Sequence, residues 1–314
     1  MHSPLSPSTP VSDAPGASDP VHVAVVGSAN LDIVIELDAS PEPGQTVLGT
    51  GYSEHGGGKG ENQAIAAAKL TSTAFIGAVG TDAAGDLLAE NMRSYGVDTR
   101  WIRRSELPSG RAFITLTPDA ENSIAVIPGA STTLTADQVT RALEEAQPIV
   151  VVTQQEISSE AVEAAADWAR ANGRRFVINA SPVRPVGADV LSGADPLIVN
   201  ADEARDILAG TGQAEGADEV ADGDPEHRLA ELLLALSPSV IVTAGRRGAY
   251  LCARGGVVEH VPAETVRARD TTGAGDEFAG TVAGCLALGQ TLRQAAERAS
   301  AASAALVQLP RDQR

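Results

Sequence analysis

Cysteine is almost absent. Cys252 and Cys285 are the only two in 314 residues, they lie far apart, and they form no CxxC pair. This excludes a disulfide framework, offers no zinc-ligand spacing and suits a reducing cytoplasm. Histidine is scarce too, and His2, His22, His55, His227 and His260 show no metal-ligand spacing. Positive charge is outnumbered, with 23 Lys and Arg against 41 Asp and Glu, for a net charge of -18. Such a chain repels a phosphate backbone, and no basic stripe carries interleaved aromatics. Nucleic acid is therefore excluded as a partner, while a single nucleotide with its magnesium is still admissible. Long apolar runs are also missing. The longest candidates, such as Gly280 to Gly289, are broken by glycine and fall short of the roughly eighteen residues that cross a bilayer, so no membrane role is expected.

What is present is apolar material for a sizeable core, 43% of the chain. The first twenty residues hold five prolines among serine and alanine, with neither a basic start nor an apolar stretch. They read as a disordered tail, residues 1–20, and not as a secretory signal. From residue 21 onward, short β-branched runs alternate with alanine-rich amphipathic stretches. Strands are predicted at Val21 to Val26, Ala74 to Val79, Ile149 to Thr153, Arg175 to Ile178, Leu197 to Val199 and Val240 to Thr243. Helices are predicted at Gly60 to Leu70, Ala84 to Tyr95, Thr135 to Ala146, Ser159 to Asn172, Ala201 to Ala209, Glu226 to Leu236 and Gly275 to Leu288. This alternation predicts an α/β fold, a doubly wound and mostly parallel sheet with helices on both faces and a ligand site at the carboxyl ends of the strands.

Two segments break the alternation, Ile33 to Gly51 and Arg111 to Ile127, the second with a turn at Pro118 to Asn122. Both read as β-hairpins that follow strand exits on the ligand side, and together they form a small β-sheet lid. The stretch from Glu215 to Glu226 holds six carboxylates in twelve residues and reads as a solvated loop.

The strand exits repeat a pattern. Val23 to Val26 runs into Gly27-Ser28-Ala29-Asn30, and Phe176 to Ile178 runs into Asn179. Leu197 to Val199 ends at Asn200, and Val240 to Val242 ends at Thr243-Ala244-Gly245. One asparagine after a strand is usually a cap or turn residue, but four polar exits at one sheet edge favour a polar ligand. The run Gly56-Gly57-Gly58-Lys59-Gly60-Glu61-Asn62 invites a phosphate-loop reading. It fails that test, because Ser53 stands where the first glycine belongs and Gly60 where a serine or threonine belongs. Glycines there can still let the backbone approach a small ligand, with Lys59 and Asn62 as donors.

The strongest local signal is Asp270-Thr271-Thr272-Gly273-Ala274-Gly275-Asp276, followed at once by an apolar helix. Glycines at a helix start leave backbone N–H groups for an anion such as a transferring phosphoryl group. Asp276 is either a first-turn aspartate that favours its helix or a base beside that anion hole, and local chemistry leaves both open.

Gly57 to Gln63 and Asp270 to Asp276 resemble the two signature regions of the ribokinase-like (PfkB) carbohydrate kinases, in order and in spacing, and the resemblance runs from Val21 to Val307. It implies an α/β core with a β-sheet lid over one kinase domain, residues 21–314. Asp276 matches the catalytic base, with Gly273, Ala274 and Gly275 as the anion hole. Asn30, Asp32, Gly58, Lys59, Asn62 and Glu156 match positions that bind sugar hydroxyls. Asn200 and Glu203, in Asn200-Ala201-Asp202-Glu203, match a motif that organises magnesium and phosphate. Thr243, Ala244, Gly245, Arg246, Arg247 and Gly248 resemble an ATP-contacting turn. Asp270 and Thr272 match positions that help hold an activating monovalent cation, with potassium the candidate. The implied partners are Mg-ATP and a small sugar, with D-ribose favoured, and a homodimer is expected. Two departures stand out. Glu277 adds a negative charge next to the expected anion hole, and Leu309 to Arg314 lacks the glycine-alanine motif found in relatives. A sugar- and nucleotide-binding protein with weakened turnover is the alternative these departures raise.

Overall fold

The computed structural model describes residues 20–117, 122–213 and 224–310. The expected tail (1–19), the centre of the second hairpin turn (118–121), most of the acidic loop (214–223) and the last four residues lie outside this description. In chain order the strands and helices are β1 Val23–Val26, β2 Asn30–Leu37, β3 Gly49–Gly57, α1 Lys59–Ala68, β4 Thr73–Gly80, α2 Ala83–Ser94, β5 Asp98–Ser105, β6 Gly110–Leu116, β7 Asn122–Ile127 and α3 Ala136–Ala146. They continue with β8 Val150–Thr153, α4 Ser159–Ala171, β9 Arg175–Asn179, α5 Ala188–Gly193, β10 Ala194–Asn200, α6 Ala201–Gly210, α7 Pro225–Leu233, β11 Ser239–Thr243, β12 Ala249–Ala253, β13 Glu259–Val261, α8 Ala274–Ala287 and α9 Leu292–Leu306.

The larger sheet has nine strands in the order β13-β12-β11-β10-β9-β8-β1-β4-β5. It is parallel from β11 to β5, and β12 and β13 add an antiparallel edge. Its central strands read as unbroken apolar runs because both faces are covered. The period of two still sorts their side chains. Val23, Val25, Val177, Ile198 and Ile241 enter the core beneath α1, α2, α8 and α9. Ala24, Val26, Ile178, Val199 and Val242 enter the other core, beneath α3 to α7. The chain moves outward from β1 through β4 to β5 and then returns to build β8 to β11 on the other side. The strand order therefore reverses between β1 and β8, where their carboxyl ends open a crevice.

The second sheet has four strands in the order β3-β2-β6-β7. Two hairpins form, β2 with β3 and β6 with β7, joined by a parallel β2·β6 pairing; the first runs from Asn30 to Gly57, wider than the expected Ile33 to Gly51. Asp82 ties this sheet to the core. Its carboxylate caps α2 through the Gly85 amide at 3.0 Å, accepts from the Ser109 amide at 3.1 Å and hydroxyl at 2.5 Å, and pairs with Arg111 at 3.2 Å. Burial pushes this carboxyl up, but the hydrogen bonds from Ser109, Gly85 and Arg111 outweigh it and hold it at about 2.

Candidate active site

Glu156, just past β8, gathers the crevice. Its Oε2 accepts from Ser28 Oγ at 2.6 Å, from the Lys59 amide at 3.2 Å and from Asn30 Nδ2 at 3.4 Å. The exits of β1 and β8 and the start of α1 thus meet on one carboxylate. Gly58 makes the meeting possible. It enters α1 at φ +90°, and a Cβ there would lie 2.8 Å from the Asn30 amide. Asn30 is buried, and its Oδ1 has no protein partner among the described residues. Asp32, next along β2, is buried as well and lines a cavity of about 370 Å³ together with Asn62, Thr272 and Gly273. Lys59 remains a cation. Burial alone would lower its pKa, but the charges of Asp276, Glu156 and Glu203 more than offset that and raise it.

Asp276 sits in the first turn of α8 and is buried. Its Oδ2 accepts from Asn62 Nδ2 at 3.1 Å and its Oδ1 from Gln63 Nε2 at 3.0 Å, so consecutive side chains of α1 hold both oxygens. The two helices approach closely at Gly280, where a Cβ would lie 2.3 Å from the Gln63 carbonyl oxygen. Gly273 precedes α8 at φ +77°. The Ala274 amide donates to the Thr271 carbonyl at 3.2 Å, which leaves Gly275 and Asp276 as the first-turn amides without an intrahelical acceptor. Glu277, expected to load negative charge beside this turn, lines the same cavity but is paired there. Lys69 Nζ donates to its two carboxylate oxygens at 2.7 and 2.9 Å, which neutralises it.

The residues expected on the nucleotide side gather at the exits of β10 and β11. Asn200 and Glu203 form a reciprocal capping box on α6. The Asn200 side chain accepts from the amides of Asp202 and Glu203 at 2.9 Å each, and Glu203 Oε2 accepts from the Asn200 amide at 2.8 Å. The structure thus gives both side chains a capping role. The Ala244 amide donates to the Gly248 carbonyl at 2.8 Å and closes the turn from Thr243 through Gly245, Arg246 and Arg247 to Gly248. Arg247 pairs with buried Glu226 at the start of α7. Asn200, Thr243, Ala244, Gly245 and Arg247 line an open hollow of about 310 Å³. Asp270 Oδ1 accepts from the Thr272 amide at 2.8 Å, and the Arg269 amide pins this loop to the Val307 carbonyl at 2.7 Å.

Among the described residues, no cluster of three or more His, Cys, Asp or Glu forms a metal cage. The donors fit a hard cation that arrives with a phosphate ligand. Magnesium takes one or two carboxylates and fills its other positions with water and phosphate oxygens, and Glu203 is the carboxylate expected to serve it.

The structure thus brings Asn30, Asp32, Gly58, Lys59, Asn62, Glu156 and Asp276 together and sets Asn200, Glu203 and the Thr243 turn along the same sheet edge. Sequence reasoning assigned no role to Ser28, Gln63, Gln154 or Lys69. Ser28 and Gln63 lay inside segments already singled out and Gln154 just past the predicted strand Ile149 to Thr153, but a single amide or hydroxyl carries no signal of its partner. Lys69 gave none at all.

Residues 21–314 match the model of the pfkB family of carbohydrate kinases. The chain is 32% identical over 285 residues to a ribokinase of Bacillus subtilis, covering 90% of this chain and 91% of the relative. It is also 32% identical over 266 residues to a deoxyribokinase of Salmonella typhi, covering 83% and 84%. The structure of Arabidopsis thaliana ribokinase complexed with ribose and ATP superimposes with a TM-score of 0.77 at 26% identity, covering 92% of this chain and 93% of that one. Two signature segments, a lidded doubly wound sheet and relatives matched along nearly their full length agree, and the chain belongs to the pfkB family of carbohydrate kinases.

Proposed function

We propose that this kinase transfers the γ-phosphoryl group of Mg-ATP to the primary hydroxyl of D-ribose, giving D-ribose 5-phosphate. The observation that carries this reading is the cluster on Glu156, which sets Ser28, Asn30 and the Lys59 amide against one carboxylate close to Asp32 and Asn62. Paired carboxylate and amide groups suit vicinal hydroxyls. Asp276, held at both oxygens, takes the hydroxyl proton as the sugar oxygen attacks in line. The start of α8 holds charge developing on the phosphoryl group. Glu203, with Asn200 beside it, would hold magnesium, which would supply positive charge to the phosphate oxygens. The loop of Asp270 and Thr272 would hold potassium as an activator. The turn from Thr243 to Gly248, with Arg246 and Arg247, takes the nucleotide.

The lid excludes water when it closes. Its large apolar residues Leu48, Tyr52, Ile124, Val126 and Ile127 are exposed, which supports a homodimer formed through this sheet. Among the described residues no helix is long and apolar enough to cross a membrane, and two free buried cysteines suit a cytoplasmic enzyme.

The reading is tested by coupled ADP release on D-ribose, 2-deoxy-D-ribose, D-fructose and adenosine. D-ribose is expected to give the highest kcat/KM. A tenfold preference for any of the other three rejects it, and 2-deoxy-D-ribose is the arm to watch given the deoxyribokinase relative.

A further inference from the structure

Behind Asp276 lies a run of side-chain amides whose direction is dictated from the sheet backbone. Asn179, at the exit of β9, donates through Nδ2 to the Ile198 carbonyl at 3.2 Å. Only a donor can face a carbonyl oxygen, so Asn179 presents Oδ1 to the other side. There it accepts from Gln63 Nε2 at 3.1 Å. The same nitrogen donates its second hydrogen to Asp276 Oδ1 at 3.0 Å. Gln154, in the β8 exit, closes the arrangement by donating to Gln63 Oε1 at 2.9 Å, which bars the amide from flipping. Gln63 and Gln154 are completely buried, and Asn179 is nearly so.

We infer that Gln63 is a positioning residue for the phosphoryl-transfer step: with Asn179 and Gln154 fixing its polarity, it anchors Asp276 Oδ1 and leaves Oδ2 as the oxygen that receives the hydroxyl proton. Oδ1 faces Gln63 in the interior, whereas Oδ2 faces Asn62, which lines the cavity. Every donor in the relay is neutral, so hydrogen bonds orient the carboxylate while the charge of Lys59 acts on it through space. The proton moves from the sugar hydroxyl to Oδ2 while the new O–P bond forms and the bond to the ADP leaving oxygen breaks. The relay gains and loses nothing in that step. An unanchored carboxylate rotates about its Cβ–Cγ bond, and misplacement of a reacting group by about 1 Å can cost on the order of 10² in rate.

This inference rests on the reading of Asp276 as the base, and the test separates the two. ADP release with D-ribose is measured for wild type, Gln63→Leu, Asp276→Asn and the double variant, with thermal melting as a folding control. Gln63→Leu is expected to lower kcat by about tenfold to a hundredfold while the KM values for sugar and ATP stay within about threefold. The double variant is expected to be no slower than Asp276→Asn alone, because a positioning residue has nothing left to position. Gln154→Leu is expected to lower kcat in the same manner but less. If Gln63→Leu fails to fold, the isosteric Gln63→Glu carries the test, since it keeps the volume and sets a carboxylate against Asp276. More than half of wild-type kcat in Gln63→Leu, or in the stand-in Gln63→Glu, overturns the inference. So does a double variant whose loss is the product of the single losses. A near-wild-type Asp276→Asn instead sinks the reading of the base.

Discussion

Lys69 on α1 and Glu277 on α8 form a two-pronged ion pair, with the ammonium 2.7 and 2.9 Å from the two carboxylate oxygens. The Glu277 side chain is 9% exposed and that of Lys69 is 44% exposed. The pair thus lies between a surface bridge, which contributes little, and a buried one, whose breakage costs several kcal/mol. Because the charge of Glu277 is answered by Lys69, Glu277→Thr is expected to leave kcat/KM within about threefold of wild type. Lys69→Met strands the buried carboxylate and is expected to lower stability by about 1–2 kcal/mol, more than Glu277→Thr does. A tenfold rise in kcat/KM for Glu277→Thr, measured by coupled ADP release, means that the carboxylate opposes the phosphoryl group after all.

Glu61 gives a pH signature. It is completely buried in α1, where burial pushes its carboxyl well above the usual range, the Asn91 hydrogen bond at 2.7 Å opposes the shift and the charge of Asp32 adds to it. For an acid whose folded pKa is raised, stability is fully present below the unfolded pKa. It falls as pH climbs toward the folded value, by about 1.4 kcal/mol per pH unit within that window. Glu61→Gln keeps the shape and removes the titration. Its melting temperature is expected to pull ahead of wild type as pH rises from about 5 to about 8. Parallel melting curves across that range contradict a neutral buried Glu61.

Asp82 works with the opposite sign. Its carboxyl is held at about 2, so its contribution is present above the ordinary aspartate value and lost as pH falls toward 2. Asp82→Ala removes an N-cap worth about 0.5–2 kcal/mol and also the grip on Ser109 and Arg111 at the start of β6. Lower stability near neutrality, a deficit that closes in acid and a raised KM for the sugar are expected together. A KM equal to wild type in a destabilised variant confines Asp82 to capping and frees the lid from it.

The capping role of Asn200 and Glu203 can be separated from their proposed magnesium role with one substitution. Gln serves at the third position of a capping box as well as Glu, so Glu203→Gln preserves the box and removes the charge. Melting is expected to be unchanged, while the magnesium concentration needed for half-maximal turnover rises several-fold. Equal magnesium dependence leaves the glutamate with its structural role alone.

The β-α alternation was legible because each central strand is short, β-branched and buried on both faces, and α2, α3, α4 and α6 each carry a side-chain N-cap. β5, Asp-Thr-Arg-Trp-Ile-Arg-Arg-Ser, was not legible, because an edge strand is half solvated and its three arginines mask the pattern. β13 has only three residues and lacks a period to read. At the site, Lys59, Asn62 and Asp276 stood out through their glycine-rich settings. The relay through Gln63 and Gln154 did not, since 91 residues separate the two and only the packing of β8 on β1 brings them together. The partner of Glu277 was equally hidden, because Lys69 lies 208 residues away in sequence and is brought to it only by the α1 and α8 contact.

The close approach of α1 and α8 at Gly280 bears on how this enzyme can be retargeted. One turn of α1 carries Asn62 and Gln63, which touch the two oxygens of Asp276, and the helix cannot slide outward without opening the glycine contact behind it. A change made there to fit another sugar also moves the group expected to take the proton, so selectivity and turnover are tied on that side. The lid strands β2 and β6 carry no such tie. Directed evolution toward a new sugar is therefore expected to collect its productive substitutions on the lid and to find α1 nearly immutable.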